Sequence, residues 1–256
     1  MARKKPKTKL EEFEEKILKS KSKEDLTGIV KKLENYVKLH PSEEGYILLS
    51  FSKYQLGDIE ESLKWIHYTQ SLKAKLFEII VYISASKFKE AYNLIKELEK
   101  LNLSEEMKKE LKPKEIFALW SMWEYERVLK LWDEDTKQLL LDFDIELGHK
   151  IIKKVEGYKK AKEVINRDKK LKKAIKKLEG IILEKIPDSK IIPILEEDVE
   201  YPIEDLWVYI IIPKNTSYEE IEKIEEEIID EIIFNQGIDI NYSFMKIGES
   251  EAFVQT

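Results

Sequence analysis

The chain contains no cysteine among its 256 residues, which removes structural disulfides, thiolate nucleophiles, thiolate-bound zinc and iron–sulfur clusters together. Glycine is nearly as scarce, at eight residues. None of the eight falls in G-x-G-x-x-G, G-x-x-x-x-G-K-[ST] or G-x-S-x-G, so the loops that cradle phosphates or present a nucleophilic serine are missing. The three histidines, His40, His67 and His149, stand apart, with none in an H-E-x-x-H or i,i+4 arrangement. No run approaches the roughly 20 apolar residues of a membrane span. The opening MARKKPKTKLEEFEEK is basic but lacks the apolar stretch of a secretory signal. The expectation is a cytoplasmic protein that is not an enzyme, with no membrane contact, no cofactor and no metal.

What the chain has in abundance is charge. Charged residues make up 38% of it, against a usual share of about a quarter, while 43% hydrophobic residues supply enough apolar matter for packed cores. Abundant Lys, Glu and Ile with few glutamines fit a thermophilic intracellular protein with surface ion-pair networks.

The stretch GDIEESLKW, Gly57 to Trp65, reads as a turn followed by the start of an amphipathic helix, and its pattern returns three times. The segments are IEESLKWI (59–66), FKEAYNLI (88–95), YERVLKLW (125–132) and YKKAKEVI (158–165). Each opens on a bulky apolar residue, Ile59, Phe88, Tyr125 or Tyr158. A smaller one follows three positions on (Ser62, Ala91, Val128, Ala161), then an apolar pair (Trp65/Ile66, Leu94/Ile95, Leu131/Trp132, Val164/Ile165). The small positions are 29, 37 and 33 residues apart, straddling the 34 of tetratricopeptide units. Upstream, DLTGIVKKLENYVKLHP (25–41) aligns Leu26, Ile29, Leu33, Tyr36 and Val37 on one helical face and stops at a proline. On these residues the chain resembles the tetratricopeptide-repeat family over about residues 24–166, most clearly at 43–76. The resemblance implies stacked helical hairpins, a curved groove and protein binding. Gly57 finds its counterpart in Gly157, while Ser86 and Trp123 take the other turn positions.

Between Lys150 and Lys177 there are thirteen Lys or Arg and three acids, a local balance of +10. Such a stripe, with Lys169, Lys170, Lys172 and Lys173 at its centre, can follow a phosphate backbone. It can equally be a solvated helix face, or a surface docked on residues 196–231, where fourteen acids face two lysines for a balance of −12.

After Pro187 the period changes. SKIIPIL (189–195) reads as a strand whose Pro193 fits only an edge or a bulge. DLWVYIII (205–212) reads as a central strand covered on both faces. Thr216 or Ser217 caps a helix that Gly237 ends, and IDINYSFM (238–245) alternates Ile238, Ile240, Tyr242 and Phe244 inward. The order α-β-β-α-β predicts a three-stranded mixed sheet, its first pair a hairpin and its second pair parallel. Over roughly 169–246 this order is similar to the minimal core of nucleotidyltransferase-like domains. Its metal-binding acids have no match, since Trp207 stands where a second acid would follow Asp205 and no Gly-Ser turn is present.

Asp142-Phe-Asp144 is an Asp-x-Asp, and on a helix its two acids diverge by roughly 200°, which weighs against a metal site. Of the aromatic residues Phe117, Trp120, Trp123, Tyr125 and Trp132, Trp120 and Trp123 are the candidate partner anchors if their rings line a groove.

The reading is a mainly α chain. It comprises a basic leader (1–9), a tetratricopeptide-like helical-repeat domain (10–167), a small α+β domain (168–248) and a tail (249–256). It is expected to serve as a protein-interaction scaffold, with a nucleic-acid-associated protein using Lys150–Lys177 as the alternative. The identity of the partner and the oligomeric state are not legible.

Overall fold

The structure, a computed structural model, describes residues 8–197, 204–235, 237, 238 and 240–246. It is mainly helical, with one small mixed sheet near the C-terminus. The chain divides into two compact units, 1–100 and 101–256.

The first unit is built of helical hairpins: α1 (Lys9–Leu18), α2 (Lys23–Leu39), α3 (Glu43–Gln55), α4 (Ile59–Ile66), α5 (Leu72–Ser84) and α6 (Phe88–Glu99). Short polar residues start them. Thr8, Ser22, Ser42, Asp58 and Ser71 each accept a hydrogen bond from a first-turn amide, and Thr8 with Glu11 closes a full capping box. One side of α2 supplies Leu26, Val30, Leu33 and Val37 to a core shared with Phe13, Ile17, Leu49 and Trp65. Ser62 and Ala91, the small positions of the repeat pattern, are fully buried. At the first of them α3 and α4 approach closely enough for the Ser50 hydroxyl to donate to Ser62 O at 2.7 Å.

The second unit opens with α7 (Glu105–Ser121), α8 (Tyr125–Lys130), α9 (Glu134–Phe143), α10 (Ile145–Arg167) and α11 (Lys169–Lys185). It continues through β1 (Lys190–Glu197), β2 (Glu204–Ile212), α12 (Tyr218–Ile228) and β3 (Asn241–Lys246). The end of α12 widens into a π-helical turn over Ile229–Phe234, and Gly237, at φ 63°, closes it.

β2 is central, antiparallel to β1 and parallel to β3, with Val208 facing Pro193 on one side and Tyr242 on the other. The hairpin and parallel pair match the expected topology, and Pro193 lies on an edge strand, one of the places where a sheet tolerates proline. Residues 198–203 of the expected hairpin connection lie outside the described residues. One sheet face carries Val208, Ile210 and Ile212 against Ala174, Leu178 and Ile182 of α11 and Ile224 and Ile228 of α12.

Three helix-to-helix turns share one backbone design. Gly57, Ser86 and Trp123 all take left-handed φ values, of 81°, 56° and 59°. In each turn the left-handed residue's N–H bonds the carbonyl three residues back, and the next N–H bonds the one five back: Gly57 to Tyr54 and Asp58 to Lys53, Ser86 to Ile83 and Lys87 to Tyr82, Trp123 to Trp120 and Glu124 to Leu119. This double closure is the Schellman motif, which satisfies carbonyls left open at a helix end.

The fourth repeat segment departs from that pattern. α10 runs unbroken through Gly157, so this glycine is not a turn residue as its pairing with Gly57 implied. A Cβ on Gly157 would sit 2.4 Å from Leu195 O and 2.9 Å from Ile194 Cγ2. The residue is small because α10 lies against β1. That contact places α10 in the same compact unit as the sheet it packs on.

Candidate functional site

Three features of the surface and its immediate support bear on function. The first, in the first unit, is a groove of about 660 Å³. Leu10, Glu14, Ile17 and Leu18 of α1 form one wall, Ile47, Leu48 and Phe51 of α3 the floor, and Lys73 and Phe77 of α5 the other wall. Glu11 and Glu44 complete the rim with Glu14. These are the first helices of three successive hairpins. The groove exists because α3 (EEGYILLSFSKYQ) and α5 (LKAKLFEIIVYIS) carry apolar residues around most of their circumference. One side packs inward through Leu49, Ala74, Ile79 and Val81, while Ile47, Leu48, Phe51 and Phe77 remain only half-buried. None of these residues was singled out from the sequence. The available signal was the excess of apolar residues in these two helices over what a one-sided helix requires.

The second feature is a polar clamp around α10. Tyr158 Oη donates to Glu126 Oε1 of α8 at 2.7 Å, and Lys162 Nζ bonds the same carboxylate. Eight residues earlier on α10, Lys154 Nζ bonds Glu196 of β1, which also accepts from Tyr209 Oη of β2. Two Tyr–Glu–Lys triads therefore tie one helix to α8 and to the sheet. Burial pushes both phenols well above the usual tyrosine range, and donation to a carboxylate adds to the shift. A phenol so held is a hydrogen-bond donor and a poor base, so the triads suit cohesion rather than proton transfer.

Beside them, Lys190 Nζ of β1 donates to Met122 O at 2.9 Å and Glu124 Oε1 at 2.6 Å, fixing the α7–α8 turn to the sheet. The Trp123 ring lies 6.0 Å from that of Tyr209. Trp120 and Trp123, the expected partner anchors, are 3% and 5% exposed. The condition attached to that expectation, rings lining a groove, is not met; both serve packing.

The third feature is the basic segment. Lys169, Lys170, Lys172, Lys173 and Lys176 are exposed. The acidic helix answers only part of the run: Lys177 pairs with Glu231 at 3.2 Å and Lys185 with Glu227 at 2.7 Å, both toward the C-terminal half of α11. On α10, Arg167 meets Glu163 at 3.6 Å, and Lys162 and Lys154 are held in the triads.

The remaining candidates separate. Asp142 accepts from Gln138 within α9, and Asp144 caps α10 by accepting from Leu147 N, so the two carboxylates serve different helices. His67 meets Glu78 at 2.8 Å, and His40 lies against Tyr36. Among the described residues, no three His, Asp or Glu side chains gather as a metal site would require. Asp133, the cap of α9, is held down at about 2 by the Thr136 hydroxyl and amide and by Lys112. No helix among the described residues is long and apolar enough to cross a membrane.

No known protein family, curated protein or solved structure matches the chain.

Proposed function

We propose that this protein is a non-catalytic interaction scaffold of the tetratricopeptide-like kind, and that the groove between α1, α3 and α5 is its binding surface. The reading rests on one observation: an apolar trough of about 660 Å³ lined by the first helices of three consecutive hairpins. The Schellman turns at Gly57 and Ser86 support it, since they give successive hairpins of this unit the same backbone closure.

The rim defines the partner's chemistry. Glu11, Glu14 and Glu44 are exposed, with Lys73 the one cation among the lining residues. The complementary ligand is an amphipathic helix that places leucine-sized side chains over Ile47, Phe51 and Phe77 and lysines or arginines against the carboxylates.

The test is fluorescence anisotropy with two labelled 16-residue peptides, one of Leu and Lys in helical alternation and one of Leu and Glu in the same order. The Leu/Lys peptide is expected to bind in the micromolar range. The Glu14→Lys/Glu44→Lys variant, changed at exposed positions only, is expected to bind it at least tenfold more weakly. Equal binding of the two peptides, no binding of either, or an unchanged affinity in the variant would overturn the reading.

A further inference from the structure

The sequence left open whether the acidic run 196–231 covers the basic run 150–177. The described ion pairs divide the basic helix in two. Its C-terminal half is engaged through Lys177 and Lys185 with Glu231 and Glu227 of α12. Its N-terminal half is not. Among the described residues Lys169, Lys170, Lys173 and Lys176 have no ion-pair partner, and Lys172 donates to the neutral Asn166 Oδ1 at 3.0 Å. Arg167, at the end of α10, is 81% exposed and stands at the same corner, because a single residue, Asp168, joins α10 to α11. The nearby acids are few: Glu163 faces Arg167, Asp168 is occupied by the amides of Lys170 and Leu171, and Glu179 lies further along α11.

A solvated helix face does not account for this distribution well. Cations at the start of a helix oppose its macrodipole, and α11 has no acid in its first turn, where Lys169 and Lys170 stand instead. The uncompensated charge is thus gathered on one corner at a local cost, while lysines further along the same helix are paired.

We infer that the corner formed by Arg167, Lys169, Lys170, Lys172, Lys173 and Lys176 binds the phosphate backbone of a nucleic-acid duplex without regard to sequence. A duplex is favoured over a single strand because no base-stacking surface is present at this corner: α11 contains no aromatic residue, and of the two rings on α10 Tyr158 is 5% exposed while His149, though exposed, lies about five turns from Arg167. A bilayer is disfavoured because α10 and α11 offer only Ile145, Val164 and Leu183 as exposed large apolar side chains, at 70%, 40% and 41%, each 19 residues from the next, where an interfacial helix needs a continuous apolar face.

From Lys169 to Lys176 the helix advances about 10 Å, which spans about six duplex phosphates. With those on the far side out of reach, about four are contacted. Counterion release then sets a slope of about −3.6 in log K against log salt, a loss of roughly 150-fold between 50 and 200 mM.

The experiment is anisotropy of the full chain with labelled 20-base-pair DNA and RNA duplexes of two unrelated sequences, with 20-nucleotide single strands, and with vesicles containing anionic phosphatidylserine, each across that salt range. The expected result is duplex binding that is steep in salt and equal for both sequences. The variant K169E/K170E/K172E/K173E should lose at least tenfold at 50 mM salt, and the milder four-fold Lys→Gln variant should fall between it and the parent. Lys177→Gln/Lys185→Gln, which removes cations already engaged by α12, should bind duplex as the parent does. Circular dichroism checks that each variant is folded. Absence of duplex binding at 50 mM, parent-like binding by the four-fold variants, preference for single strands, or binding to the vesicles alone would overturn the assignment. None of these results depends on the groove.

Discussion

Replacing Gly157 by alanine sets two well-understood effects against each other. In a helix interior, alanine is favoured over glycine by about 1 kcal/mol. At Gly180 of α11 and Gly28 of α2 nothing lies within 4 Å of an added Cβ, so Gly180→Ala and Gly28→Ala should realise most of that gain. At Gly157 the new carbon would meet Leu195 O at 2.4 Å and Ile194 Cγ2 at 2.9 Å. Ordinary carbon contacts lie at about 3.5 Å or beyond. A backbone carbonyl cannot swing aside as a side chain could, so α10 and β1 must separate by about 1 Å.

Overpacking of this kind costs about 1–3 kcal/mol. The separation also pulls Lys154 away from Glu196 and Tyr209, which favours the upper part of that range. Offset by the helix gain, the net loss is about 1–2 kcal/mol. For a unit of 150–250 residues each kcal/mol moves the midpoint by about 2–4 °C, so Gly157→Ala should melt about 3–6 °C lower and Gly180→Ala about 2–4 °C higher. Both residues belong to the second unit, and melts followed by circular dichroism at 222 nm compare them directly. If Gly157→Ala melts at or above Gly180→Ala, α10 does not press on β1, and the clamp loses its frame.

Ser86→Gly and Trp123→Gly should move stability in opposite directions, although both relieve a left-handed residue by about 1 kcal/mol. Ser86 is exposed and should give a net gain, whereas Trp123 is 5% exposed with an Nε1 that has no hydrogen-bond partner among the described residues, so its loss forfeits about 3–5 kcal/mol of packing alone; urea denaturation of the two variants checks the signs. Tyr158 and Tyr209 should ionise above the ordinary tyrosine range in an alkaline absorbance titration. Because their folded pKa values lie above the unfolded value near 10, their contribution to stability is complete below that pH and is lost as pH rises past it. Tyr158→Phe/Tyr209→Phe should therefore flatten the fall in melting temperature above pH 10, and an unchanged fall would show that the phenols are not held by Glu126 and Glu196.

The C-terminal topology could be read in advance because its signals are local. Pro193 marked an edge or a bulge, the run 205–212 marked a strand covered on both faces, and Thr216 or Ser217 marked a helix cap, which forms at Ser217 with Glu220 closing a capping box. The repeat was less legible because its unit is a backbone shape and only secondarily a set of letters. Gly57, Ser86 and Trp123 close the same turn, and at the third position burial of an indole outweighs the penalty that makes glycine the usual choice. Gly157 misled for the converse reason. Glycine serves both left-handed turns and close approach, and only the position of β1 distinguishes the two.

The candidate sites divide along the same line. Charge partition on α11 depends on which glutamates of α12 face it, and helical phase determines that: Glu227 and Glu231, one turn apart, reach Lys185 and Lys177, which lie two turns apart on the antiparallel neighbour. No count of charges along the chain gives that pairing. The groove depends on three helices separated by their hairpin partners, so its lining, from Leu10 to Phe77, is scattered over nearly seventy residues. A sequence motif is legible when neighbouring letters share a task; here α1, α3 and α5 contribute a few residues each, and only the stacking of hairpins assembles them.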